Sequence, residues 1–75
     1  MLIQTEVGRA EVVAKQLAGL PGVYSAEYVT GPYDVVARVG ADTPEELQRN
    51  VVDKVQVVSG ITRTLTCPIA ETQHP

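Results

Sequence analysis

The chain predicts an α+β fold of the ferredoxin-like βαββαβ type, a four-stranded antiparallel sheet with two helices on one face. Three observations carry that expectation. A turn, Thr30-Gly31-Pro32-Tyr33-Asp34, lies near the middle between two β-like runs, Val23 to Val29 and Val35 to Val39, and Gly-Pro between such runs reads as a hairpin. Segments with apolar residues at helical spacing stand on either side of it. The order also recurs: Leu20-Pro21-Gly22-Val23 leads from the first helix into a strand and Val58-Ser59-Gly60-Ile61 from the second, an offset of 58 − 20 = 38 residues. Two βαβ units joined by the central turn make βαββαβ, and right-handed crossovers give the spatial strand order 4-1-3-2.

The elements follow in order. Met1-Leu2-Ile3-Gln4-Thr5 is a short first strand, broken by Glu6-Val7-Gly8. From Arg9 to Ala18, the residues Ala10, Val13, Ala14 and Leu17 form one apolar stripe, and Glu11 and Lys15 lie four apart on the outer face, where they pair weakly. Gly19 or Pro21-Gly22 ends this helix. After the hairpin, Thr43-Pro44-Glu45-Glu46 is a helix start: Thr43 caps, Pro44 takes the first helical position and Glu46 completes a capping box. Leu47, Val51, Val55 and Val58 make the second stripe, with Val52 beside it. Ile61 to Cys67 reads as the last strand, Pro68 as its breaker, and 70–75 as a flexible tail, leaving 1–69 as the domain.

Seventy-five residues make one domain that buries only about 60% of its unfolded surface, so a partner subunit is expected as a stabiliser. Cys67 is the only cysteine, which excludes an internal disulfide and fits a reduced, cytoplasmic setting. No run approaches the ~20 apolar residues of a membrane span. The net charge of −3, without a basic cluster, argues against direct DNA or RNA binding. Val35, Ala37 and Val39 face one side of the third strand and Val36 the other; in the second strand Val23 and Val29 alternate with Tyr24, Ala26 and Tyr28. Two helices cover one face only, so the other would show an apolar patch unusual for a monomer. Dimerisation through the sheet faces is the expected outcome.

The central turn concentrates chemistry that chain reversal alone does not require. Gly31 supplies a positive φ or lets a ligand approach the backbone. Asp34 accepts a charge-assisted bond from a ligand ammonium or makes a local turn bond. Tyr33 walls a pocket or packs across strands. Thr62, Thr64 and Thr66 alternate along one face of the last strand, as ligand hydroxyls or as plain strand formers. Arg38 pairs across an interface or covers apolar surface with its stem. Cys67 is a small apolar residue at a strand end, and His74, in the tail, has no assigned role. No nucleophile–base pair and no Cys-x-x-Cys is present, so neither an enzyme nor a cofactor or metal carrier is expected.

Leu20-Pro21-Gly22-Val23, Gly31-Pro32-Tyr33-Asp34, Gly60-Ile61 and Thr64-Leu65-Thr66, in this order, resemble the effector-binding (RAM) domain of the Lrp/AsnC, or feast/famine, transcription regulators, over about Leu2 to Ile69. The resemblance implies sheet-face dimers that join into rings, with an amino acid bound between dimers by Gly31, Tyr33, Asp34, Thr64 and Thr66. No helix-turn-helix segment is in the sequence, so it resembles a stand-alone form that senses amino acids, with full-length regulators as candidate partners and no DNA binding of its own. The first strand is short for the family. ACT domains share the βαββαβ order. An architectural module without effector and a small dimeric α+β barrel enzyme are the alternatives.

Overall fold

The computed structural model describes residues 1–69; the tail assigned to 70–75, with His74, lies outside the described residues. The strands are β1 (Leu2–Thr5), β2 (Val23–Tyr28), β3 (Val35–Val39) and β4 (Ile61–Leu65). Helix α1 spans Ala10–Ala18. The second helix, α2, runs through three consecutive segments: α-helical Pro44–Glu46, π-helical Leu47–Val52 and α-helical Asp53–Gln56. All pairings are antiparallel and the order is β2-β3-β1-β4, the expected 4-1-3-2 read from the other edge. The last strand ends two residues before Cys67, which is exposed rather than packed at a strand end.

The core is aliphatic. Ile3, Val13, Leu17, Val35 and Val55 are fully buried, and Ala14, Ala37, Val51 and Val52 nearly so. On α1 these are the expected stripe, and the outer Lys15–Glu11 pair forms at 3.5 Å. On α2 the stripe differs from a plain 3.6-residue pattern, because Val51 and Val52 are both buried. The repeat explains this. Val13, Ala14 and Leu17 map onto Val51, Val52 and Val55 at an offset of 38 (51 − 13, 52 − 14, 55 − 17), but Ala10 maps onto Leu47 at 37; all of these pack in or against the core. Helix α2 therefore carries one extra residue between Leu47 and Val51, and the π segment absorbs it. The i→i+5 repeat turns Val52 inward instead of leaving it at the flank. The start of α2 is as expected: the Thr43 hydroxyl accepts from the Glu46 N–H at 3.1 Å, and Pro44 opens the helix.

The same pseudo-symmetry governs the two glycine turns. Gly22 (φ +84°) and Gly60 (φ +98°) both adopt a backbone that L side chains avoid. Gly22 lies against Val51 of α2, and Gly60 against Val13 of α1, so each turn packs on the helix of the other half.

Two bulges alter the side-chain parity read from the sequence. In β2 the pairing runs Val23↔Val39 and then Ser25↔Arg38, with an extra residue between. Val23 and Ala26 consequently share the core face, which strict alternation had set on opposite faces, and Tyr24 stays exposed. In β4 the pairing passes from Gln4↔Arg63 to Thr5↔Ile61, so Thr62 is the extra residue and the alternation of Thr62, Thr64 and Thr66 is broken. On the face away from the helices one row reads Glu27, Val36, Leu2, Leu65 across the four strands. Leu2 and Val36 are half-buried and Leu65 is exposed, an apolar strip with no helix over it.

Candidate functional site

The turn between β2 and β3 is built by Gly31, whose φ of +142° is left-handed territory. A Cβ there would meet nothing within 4 Å, so the backbone angle, not a close approach within the protomer, requires glycine. The Gln4 amide donates to the Pro32 carbonyl at 3.0 Å. Asp34 accepts from the Thr5 N–H at 2.8 Å and from the Thr5 hydroxyl at 3.4 Å, both at the same carboxylate oxygen. Its other oxygen receives no bond from the described side chains. Asp34 thus fastens the end of β1 to the turn, and one oxygen is left for another donor. Tyr33 is half-buried beside it.

The threonines lie elsewhere. Thr64 is opposite Ile3 on β1, and its hydroxyl accepts from the Gln56 amide at 3.1 Å. Thr66 follows the end of β4 and is exposed. It sits beyond Leu65, which pairs with Leu2, whereas the turn lies beyond Thr5. One protomer therefore does not bring Gly31, Tyr33 and Asp34 together with Thr64 and Thr66. Sequence reading missed Gln4, Thr5 and Gln56 as partners of this set. Only the strand register, which is not visible locally, identifies Thr5 as the donor to Asp34.

Two grooves mark the surface. One, about 460 Å³, lies between α1 and the free edge of β2, under Ala26, Tyr28 and Val29, with Glu11 and Lys15 on its wall. The other, about 570 Å³, lies at the far end of the sheet among Met1, Tyr24, Arg38, Val39, Thr66 and Ile69. There the Met1 ammonium donates to the Ala37 carbonyl at 2.6 Å. Burial holds that amine below its ordinary pKa. Neither groove is lined by Gly31, Tyr33, Asp34 or Thr64. Among the described residues no group of three or more His, Cys, Asp or Glu could hold a metal ion, and no helix is long and apolar enough to cross a membrane.

The fold is a two-layer α+β module of the βαββαβ type, with helices over one face of the sheet, a polar turn at one end and no helix over the other face. Residues 1–74 match the model of the Lrp/AsnC ligand binding domain, and the chain belongs to that family. It is 41% identical over 54 residues to an uncharacterized HTH-type transcriptional regulator of Pyrococcus horikoshii and 39% identical over 54 residues to one of Pyrococcus abyssi. These matches cover 72% of this chain and 36% of each regulator, so the chain spans about a third of the length of those relatives. A 33% match over 54 residues, 12% of that protein, links it to a homocitrate synthase of Sulfurisphaera tokodaii. Among solved structures, a hypothetical protein from Pyrococcus horikoshii superposes with a TM-score of 0.82 at 31% identity, covering 93% of this chain and 86% of that one.

Proposed function

We propose that this domain is a non-catalytic amino-acid sensor and oligomerisation module of the Lrp/AsnC type, working in the cytoplasm. It dimerises through the bare sheet face and binds its effector between dimers. The observation that supports this best is the strip Val36, Leu2 and Leu65 on the face that carries no helix. A second copy covering it removes apolar surface from water, which a core this small needs. The turn then supplies one wall of the site: the uncommitted oxygen of Asp34 for an ammonium group and Tyr33 for the side chain. Thr64 and Thr66 come from another subunit, since their own protomer holds them away from the turn. Effector binding shifts the populations of assembly states according to its differential affinity, and full-length regulators carrying the same domain are candidate partners.

An architectural module without effector is the second reading, favoured by the bonds that already occupy one oxygen of Asp34 and the hydroxyl of Thr64. Thermal shift against the twenty amino acids separates the two. An effector at one hundred times its Kd raises stability by ~2.7 kcal/mol, which for a domain of this size is a Tm rise of roughly 10–20 °C. No shift with any amino acid, and an unaltered mass in light scattering, would sink the effector reading.

Asp34 allows a finer test. Asp34→Asn keeps an oxygen acceptor for Thr5 but removes the charge, so effector binding falls while the melting curve and the oligomer stay close to the parent. Asp34→Ala also strands the Thr5 N–H and costs about 1–3 kcal/mol of stability. If Asp34→Asn binds effector as the parent does, Asp34 is only a structural clamp.

A further inference from the structure

We propose that the two edges of the sheet are complementary: the β4 edge of one copy adds to the free β2 edge of the next, continuing the sheet head to tail. This contact goes beyond the sheet-face pairing and needs no effector. Strand polarity permits it. With four strands in the order β2-β3-β1-β4, all antiparallel, the two edges run in opposite directions. A second copy in the same orientation therefore continues the alternation, with its helices on the same side.

The backbone groups agree. Met1 and Ala37 exchange both bonds, Met1 N to Ala37 O at 2.6 Å and Ala37 N to Met1 O at 2.9 Å. In an antiparallel ladder the bonded direction alternates, so Met1 and Ile3 turn to β3 while Leu2 and Gln4 turn to β4, where they meet Leu65 and Arg63. Thr64 is left pointing its N–H and C=O out from the edge. On the opposite edge, the Val29 N–H donates to the Asp34 carbonyl at 2.8 Å. Val29 and Glu27 therefore turn to β3, and Ala26 and Tyr28 point outward.

Placing Ala26 opposite Thr64 aligns outward groups with outward groups. That register sets Glu27 opposite Arg63. Both lie on the open face, because Glu27 pairs with Val36 and Arg63 with Gln4. Both are exposed, and neither is in an ion pair among the described residues. A non-hydrogen-bonded position brings their Cα atoms to about 4.5 Å. On the other face the 460 Å³ groove beneath Ala26 and Tyr28 receives Thr64. A free edge beside a groove is the arrangement by which extended segments are bound as added strands. The bulges near Tyr24 and at Thr62 bracket the matching stretch, so the ladder is short and acts mainly when other contacts raise the local concentration of edges. Being heterologous, it extends or closes rings, whereas a two-fold face contact stops at a dimer.

The test is a cysteine pair, Glu27→Cys with Arg63→Cys in a Cys67→Ser background, oxidised at high protein concentration. The expected spacing lies within disulfide reach. Head-to-tail pairing gives covalent trimers and larger species, because every protomer carries both halves of the link. Covalent dimers alone, the product of a closed two-fold contact, or no cross-link at all, would overturn the proposal. The unmodified chain gives a second measurement. The amides of Ala26, Tyr28 and Thr64 exchange more slowly as concentration rises, since these N–H groups gain partners only at the edge. Exchange there that does not depend on concentration contradicts the edge contact.

Discussion

Ala37→Lys should leave the chain unfolded, while Val36→Lys, one residue away, should leave it folded but unable to form the proposed sheet-face dimer. Ala37 is 1% exposed, in the core row opposite Ala26 of β2, and its carbonyl holds the Met1 ammonium. A lysine there overfills the site and sets an unpaired cation beside another positive charge; burial of such a charge costs several kcal/mol even after relaxation. Stability for a chain of this length is roughly 4–11 kcal/mol, so one buried charge removes most of it. Val36 faces the bare side, opposite Glu27, and a lysine there gains a cross-strand partner. Its cost appears only when a second copy tries to cover the strip. Far-UV circular dichroism with temperature, and sedimentation velocity, read the two outcomes separately. A Val36→Lys protein that stays associated like its parent would remove the bare face as the dimer surface. A folded Ala37→Lys protein would contradict the parity of β3.

That contrast also marks how far the sequence could be read. Val35, Ala37 and Val39 alternate cleanly with Val36, so the two faces of β3 are visible in five residues. β2 hides its faces because the extra residue near Tyr24 shifts parity. A bulge is a property of the pairing, and nothing in Val23-Tyr24-Ser25-Ala26 announces it. Helix α2 was partly legible. At α-helical period its stripe leaves Val52 at the flank. The offset of 38 that aligns the two glycine turns also aligns Ala14 with Val52, so the repeat held the signal that the period lacked.

The candidate site was legible in composition but not in wiring. Gly31, Tyr33 and Asp34 stand out because they crowd one turn. Thr5, which binds Asp34, and Gln56, which binds Thr64, are 29 and 8 residues away along the chain. Their roles follow from register and helix placement, which only the folded chain fixes. The separation of Thr66 from the turn has the same origin: antiparallel strands put the end of β4 opposite the start of β1. The physical consequence is that any pocket using all five residues belongs to an assembly and not to a protomer.

Gly22→Ala is the other substitution with a large expected effect, and the internal repeat supplies its control. Gly22 and Gly60 are equivalent by the 38-residue offset, and both have φ in the left-handed region. Alanine at either position pays about 1–2 kcal/mol for that backbone. The surroundings differ. At Gly22 the new Cβ would lie 2.5 Å from Cγ2 of Val51 and 3.2 Å from the Gly40 carbonyl oxygen. Val51 is 3% exposed, on a helix packed against the sheet, and has nowhere to go; overpacking of this kind adds about 1–3 kcal/mol. At Gly60 the nearest atoms are Nε of Arg9 at 3.0 Å and Cγ2 of Val13 at 3.3 Å. The arginine side chain swings aside and the methyl yields by a few tenths of an ångström. Gly22→Ala should therefore lose roughly 2–5 kcal/mol in all, a fall in Tm of at least about 10 °C for a domain this small, and Gly60→Ala distinctly less. Adding Val51→Ala to Gly22→Ala opens the space and recovers part of the steric loss, although that deletion has a cavity cost of its own. A double-mutant cycle read by thermal melts gives the coupling. If the two substitutions simply add, the close approach of the turn to α2 does not limit stability, and the backbone angle alone sets the need for glycine.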